Sequence, residues 1–302
     1  MDIKPRSVPN DLKIRRLLRP RMTFTDAELK QLQSDEKGFE GECYFDQLIS
    51  NSPASTYLHL KDLLLQWHNT TFQIDSCLIS PHKIFLSDIK NFEGEFYIEG
   101  KRWFMMSGKE IKNPLQQLQR SEDLFRPLAQ SIGLNLPIES NVVFVNPEFT
   151  LFNANKHLPI ILPTQNKAFV RRLGSVVCDN TLIEAAKKLA LLHIEDSPFK
   201  FLHIPEYTYE TLEKGISCVN CHKLSVRLVG RKLVCNECEC QEDFDSGIIR
   251  TVEEFKLLLP DRYITVSTIV EWCGLNISRQ RMQRVLKEHF AMIHHSVSTY
   301  YQ

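Results

Sequence analysis

The sequence predicts an α/β protein, a sheet flanked by helices, followed by a small cysteine-bounded module and a helical C-terminal segment. Three observations carry this. Thr71–Asn91 alternates apolar and polar residues on either side of Ser80-Pro81-His82-Lys83, the pattern of a β-hairpin around a proline turn. Asn113-Pro114 opens an amphipathic run that stops at Gly133, a helix with its N-cap, first-turn proline and glycine stop in order. Cys218 and Cys221 are followed, after thirteen residues, by Cys235 and Cys238, two CxxC pairs that set off a unit of their own.

At the N-terminus, Lys4, Arg6, Lys13, Arg15, Arg16, Arg19 and Arg21 make the first 21 residues basic. Residues 1–37 are therefore expected as a basic arm, either lying over a phosphate backbone or simply solvated. From Gly38 a short helix is expected in which Glu42, Phe45 and Ile49 share one face by i, i+3, i+7 spacing, so that Glu42 points toward the core. Glu40 lies about 200° around the helix from Glu42 and is expected in solvent.

In the hairpin, pairing Ser80 with Lys83 sets a register that puts Asp75 opposite Asp88. Side chains alternate along a strand, so Lys90 joins their face. That face then carries Gln73, Asp75, Asp88 and Lys90 at one end and Cys77, Ile79, Ile84 and Leu86 at the other. Phe72, Ile74, Leu78, Phe85 and Ile89 take the opposite face. Two carboxylates across a ladder repel, at a cost of about 0.2–1 kcal/mol, and burial raises that cost unless a cation neutralises them. A divalent metal would do so. The plainer alternative is that Asp75 is a strand-edge residue and Asp88 and Lys90 an ordinary surface pair.

The helix from Asn113 carries Gln117, and Asn141–Asn146 reads as an apolar strand. Taken in order, the features are Gly41-Glu42 opening a helix, Ile74-Asp75 opening a strand, Asp88-Ile89-Lys90 thirteen positions on, then Asn91-Phe92 and Gly94, Asn113-Pro114-Leu115-Gln116-Gln117, and the strand at 141–146. Residues from about 38 to 150 thereby resemble the nuclease-related domain (NERD) family, a branch of the PD-(D/E)XK endonuclease-like superfamily. The resemblance implies a restriction-endonuclease-like fold, an α/β sandwich around a mixed sheet, with Glu42, Asp75, Asp88 and Lys90 as its active site.

It further implies metal-dependent phosphodiester hydrolysis, with DNA as the expected substrate. Such a reaction needs an activated water and neutralisation of charge on the phosphate and the leaving oxygen. Asp75 and Asp88 would hold Mg²⁺ or Mn²⁺, Lys90 would orient or help deprotonate the water, and Glu42 would be a further ligand to metal or water. Gln117 either contacts the phosphate or is a solvated helix residue. The family usually has Glu where this chain has Asp88, although the superfamily pattern takes either acid. That departure keeps open a second reading, a catalytically inactive nuclease fold serving as a DNA-binding or regulatory protein.

The helix expected over Asn180 to Ile194 ends before Ser197-Pro198, the expected domain boundary. Beyond it, Cys218, Cys221, Cys235 and Cys238 have the spacing of a closed, tetrahedral and hence structural Zn²⁺ site. The intervening alternating segment turns at Gly230, so residues 210–245 read as a zinc ribbon. His222 and Cys240 stand beside the regular spacing, not within it. A zinc hydrolase is excluded because all four thiolates are used and no open position remains. In the last segment, 250–302, a short helix over Ile264–Trp272, a turn at Cys273–Asn276 and a helix capped by Ser278 and running to about Ala291 resemble a helix-turn-helix. Arg279, Arg281, Arg284 and Lys287 would contact nucleic-acid phosphates from it, or be ordinary solvated charges.

Composition adds bounds. With 302 residues, 43% of them hydrophobic, the chain can bury a sizeable core in two or three units, the nuclease-like one over 38–197. Its 37 basic and 37 acidic residues cancel, so bulk charge neither favours nor opposes nucleic acid. No apolar run approaches the roughly 18 residues of a membrane span, and the polar N-terminus lacks a signal-peptide core, so the expected location is the cytoplasm.

Overall fold

The computed structural model describes residues 1–195, 204–295 and 298–302. The boundary expected at Ser197-Pro198 lies outside the described residues. The chain opens with β1 (Asp2–Lys4), α1 (Asn10–Leu18) and the long α2 (Asp26–Ser50). It divides into two compact units, Met1–Val8 with Gln33–Lys200 and Pro9–Leu32 with Phe201–Gln302.

In the first unit, β2 (Leu58–Trp67), β3 (Thr70–Ile79) and β4 (Ile84–Lys90) form an antiparallel meander. After β5 (Gly94–Glu99), β6 (Arg102–Met105) and β7 (Glu110–Ile111) come α3 (Pro114–Ser131), β8 (Ile138–Phe144), β9 (Phe149–Phe152), β10 (Ile160–Ile161), α4 (Asn166–Leu173) and α5 (Asn180–Leu191). The main sheet has the order β1-β2-β3-β4-β8-β10. It is mixed, because β1 runs parallel to β2, and β8 parallel to both β4 and β10. One face packs Leu78, Ile89 and Val143 against Phe45 and Ile49 of α2 and Phe169 of α4. The other packs Cys77, Ile79, Ile84 and Leu86 against Phe125 and Leu128 of α3 and Leu189 of α5. A second sheet, β7-β6-β5-β9, brings Phe96, Trp103 and Phe149 onto Phe144 of β8.

The hairpin has the expected register. Ser80 N–H donates to the Lys83 carbonyl at 3.0 Å, and the ladder runs from Ile79↔Ile84 to Ser76↔Ser87. Strict alternation fails one residue further on. Phe72 and Ile74 belong to the same buried cluster as Cys77 and Ile79, not to the opposite face. The flip coincides with Asp62 on the neighbouring β2, which takes φ 51° between the pairs Lys61↔Ser76 and Leu63↔Ile74. A left-handed residue re-aims the side chains that follow it in its own strand.

Other elements differ from expectation in extent. The short helix expected from Gly38 is the last part of α2, because Thr25, thirteen residues earlier, forms a capping box with Glu28: the Thr25 N–H donates to Glu28 Oε2 at 2.6 Å, and the Glu28 N–H to Thr25 Oγ1 at 3.3 Å. α3 begins as expected, with Asn113 Oδ1 accepting from Leu115 N–H at 2.9 Å. α5 ends at Leu191, short of Ile194. The basic residues expected in an arm are folded in. Lys4 lies in β1 and donates to the carbonyls of Lys61 and Asp62, both at 2.8 Å. Arg15 is buried on α1, and Arg21 donates to the carbonyls of Glu213 and Gly215 while its guanidinium stands 4.4 Å from the Trp272 ring centre. Those acceptors and that ring offset the desolvation that an unpaired buried arginine would suffer.

The second unit contains β11 (Val226–Val229), β12 (Lys232–Cys235) and β13 (Gln241–Asp243), then α6 (Phe244–Leu258), α7 (Val266–Cys273), α8 (Arg279–His289) and the hairpin β14 (Met292–His295) and β15 (Ser298–Tyr301). α7 and α8 meet through a left-handed Gly274 at φ 61°, and Ser278 Oγ caps α8 from the Arg281 N–H. The core of this unit gathers Ile14 and Leu18 of α1 with Leu233, Phe255, Trp272 and Leu286. Among the described residues, no helix is long and apolar enough to cross a membrane.

Candidate active site

Gly41 brings α2 against the end of β4. A Cβ built there would stand 2.6 Å from Asn91 Cβ and 3.1 Å from Val145 Cγ2, so only glycine permits this approach. The next residue, Glu42, is half-buried, while Glu40 is exposed as expected. Asp75 lies where the ladder between β3 and β4 stops. Its Oδ2 accepts the Ile89 N–H at 2.8 Å, so a side chain replaces the backbone bond the ladder would have made. Asp88 and Lys90 project from the same face of β4, with Lys90 Nζ 2.9 Å from Asp88 Oδ1. Gln117 of α3 closes the group, donating to Asp88 Oδ1 at 3.2 Å and accepting from Lys90 Nζ at 3.3 Å.

A small cleft lined by Gln73, Asp75, Ser87, Asp88, Leu118 and Ser121 opens onto these carboxylates. Burial, reinforced by Asp75, pushes Asp88 up to about 7 despite the Lys90 ammonium beside it. Burial also raises Asp75, and burial with Asp75 pushes Glu42 up to about 8. For Lys90, burial disfavours the ammonium but is outweighed by Asp88 and Asp75, so its pKa rises. The cluster thus holds more negative charge than its surroundings stabilise.

Residues 37–145 match the nuclease-related domain (NERD) family. No curated protein and no solved structure matches the chain. The matched segment contains Glu42, Asp75, Asp88, Lys90 and Gln117, and it ends on Val145, beside Gly41.

Two residues beside these acids carry no signal that the sequence analysis picked up. Arg6 follows β1, ahead of the matched segment, and its buried guanidinium binds Glu42 through Nη1, both oxygens of Asp46 at 2.9 and 3.3 Å, and the Asp75 carbonyl at 2.7 Å. Nothing local marks Arg6 among the surrounding basic residues. Asp46 could have been found, because it follows Glu42 by four and shares its helix face. Behind Asp46, at 3.9 Å, stands the buried His59, whose Nε2 is 2.8 Å from Ser76 Oγ.

The donor set of the cleft suits a hard divalent cation. Asp88 Oδ2 is buried and has no hydrogen-bond partner, oxygen donors are what Mg²⁺ and Mn²⁺ take, and the raised carboxylates would be relieved by positive charge. Asp75 and Asp88, which line the cleft, are the carboxylates that could hold one. Glu42 is engaged by Arg6 instead. Among the described residues, the four cysteines are the one group of three or more such side chains whose ligand atoms all lie within 4.8 Å of one another.

That second cluster is compatible with zinc. Cys218 Sγ is 3.6 Å from Cys238 Sγ, and Cys221 Sγ 3.6 Å from Cys235 Sγ. The backbone N–H groups of Asn220 and Glu237 donate to Cys218 and Cys235 at 3.4 Å, as thiolate ligands require. His222 and Glu239, each directly after a CxxC pair, sit at φ 58°, turning the chain back toward the site. Gly230, at φ 59°, makes the hairpin turn between β11 and β12 as expected. On α8, three of the four basic residues have partners within the unit: Arg279 with Ser267 Oγ, Arg281 with the Gly230 carbonyl at 3.0 Å and the Phe244 ring at 3.6 Å, and Arg284 with Asp245 at 2.6 Å and Glu288 at 2.9 Å. Lys287 is exposed.

Proposed function

We propose that this chain is a metal-dependent nuclease that hydrolyses phosphodiester bonds, with DNA as its substrate. The observation that carries the reading is the meeting of Asp75, Asp88 and Lys90 in one cleft of a nuclease-related domain, with Asp88 Oδ2 buried and unpartnered. Asp75 and Asp88 would hold Mg²⁺ or Mn²⁺, which when bound neutralises charge gathering on the phosphate. Lys90, fixed between Asp88 and Gln117, orients the attacking water and assists removal of its proton. Gln117 donates toward the phosphate once the substrate displaces its bond to Asp88. Glu42 orients water from the α2 side. In the second unit a structural Zn²⁺ on the four cysteines fixes the ribbon, and Arg279, Arg281, Arg284 and Lys287 add sequence-independent contacts to phosphates. Nine unpaired cysteines suit the reducing cytoplasm.

The test is incubation of purified, zinc-loaded protein with supercoiled and linear DNA in Mg²⁺, Mn²⁺ or neither. Metal-dependent cleavage, lost in Asp88→Asn and Lys90→Ala with the fold retained, supports the enzyme. DNA binding without cleavage in either metal would replace it with the inactive, DNA-binding alternative.

A further inference from the structure

Arg6 makes contacts that an ordinary structural arginine does not need. Its side chain is 4% exposed, and burying a guanidinium is costly unless its donors are met. Here they are met by Asp46, Glu42 and the Asp75 carbonyl. The result ties α2 to β3 at the residue whose carboxylate faces Asp88. It also sorts the acids. Glu42 and Asp46 share Arg6, while Lys90 pairs with Asp88 and its charge also acts on Asp75. Four carboxylates against these two side-chain cations leave a formal charge of −2, which one divalent ion would balance.

We propose that Arg6 is the resident cation of the acid cluster, so that the site takes one divalent ion, on Asp75 and Asp88, with Glu42 withheld from it. The proposal rests on the nuclease reading in taking those two aspartates as ligands. Two-metal nucleases hold their ions roughly 3.5–4 Å apart between shared carboxylates. In this chain the carboxylate that could serve a second ion is already paired, by a bond that a second ion would have to break. Arg6 would then be a positioning residue that sets metal stoichiometry without touching the substrate.

The experiment is a titration of zinc-loaded protein with Mn²⁺, followed by calorimetry and electron paramagnetic resonance. The expected result is one equivalent bound, with the spectrum of an isolated ion. Two equivalents with a spin-coupled spectrum would overturn the proposal while leaving the nuclease reading intact. No Mn²⁺ bound at all would remove both. Arg6→Gln, checked for folding by its thermal melt, is expected to take up a second equivalent because Glu42 is released. One equivalent in both folded proteins would show that Arg6 does not set the number.

Discussion

Asp75 Oδ2 accepts the backbone N–H of Ile89, one residue beyond the aspartate that faces it. A single carboxylate therefore does two jobs, closing the end of the β3–β4 ladder and adding its charge to the cleft that Asp88 also lines. The two jobs can be separated by substitution. Asn keeps an oxygen that can accept from Ile89 but is a poor ligand for a hard cation, so Asp75→Asn should melt within a few degrees of wild type and lose metal-dependent cleavage. Asp75→Ala leaves a buried N–H unmet, at about 1–3 kcal/mol. Equal melting temperatures for the two variants would mean that the bond to Ile89 contributes nothing.

Gly41 offers a test that leaves every polar group in place. The methyl of Gly41→Ala would overlap Asn91 Cβ and crowd Val145, neither of which is the tip of a flexible side chain. α2 must therefore lift away from β4, carrying Glu42 with it. Overpacking of this kind costs about 1–3 kcal/mol, and cleavage should fall at least tenfold if Glu42 acts where it now stands. Chemical denaturation and initial cleavage rates measure the two effects. Unchanged cleavage from a destabilised variant would take Glu42 out of the reaction.

His59 gives the first unit a pH dependence of its own. It is buried with Nε2 beside Ser76 Oγ, and burial, with Lys61 and Arg6 nearby, holds its pKa well below the ordinary imidazole value. Asp46 and Asp2, each 3.9 Å away, do not reverse that. The unfolded chain thus takes up a proton near pH 6.5 that the folded chain refuses. Stability is then full above that pH and falls as pH drops below it, by up to about 1.4 kcal/mol per pH unit. His59→Gln keeps a hydrogen bond to Ser76 and cannot titrate, so its urea midpoint should shift less between pH 7.5 and 5.5. The same shift in both proteins would assign the acid sensitivity to other groups.

What the sequence made legible was local. The hairpin register followed from the Ser80–Lys83 turn and a period of two, the start of α3 from Asn113-Pro114, and the cysteine cluster from its spacing. These features depend on residues a few positions apart, where turn and cap chemistry act. The flip in strand facing was hidden because the left-handed residue it coincides with, Asp62, sits on the neighbouring strand. Arg6 was hidden because its partners, Glu42, Asp46 and Asp75, are distant in sequence, and no periodicity links a residue after one strand to a helix face beyond it. The same limit hid α1, whose apolar face joins, with Phe24, a core built mainly from the C-terminal third of the chain.

That core makes the zinc prediction specific. Leu233 of β12 lies in it, and Gly247 lets α6 approach so closely that a Cβ there would meet Leu233 Cδ1 at 2.3 Å. The ribbon is therefore packed against the second unit's own helices, and loosening the cysteines should loosen that packing. Cys235→Ser, or exhaustive chelation, is expected to release one zinc per chain and destabilise the second unit by several kcal/mol, since structural zinc contributes about 10–16 kcal/mol of apparent binding energy in zinc-finger peptides. The first unit should be spared, because its core clusters contain no residue of the second. Hydrogen exchange resolves the two: amides of β12 and α6 should lose protection while those of β3 and β8 keep it. Protection unchanged throughout, in protein shown to be zinc-free, would mean that the four cysteines hold the ribbon together without a metal.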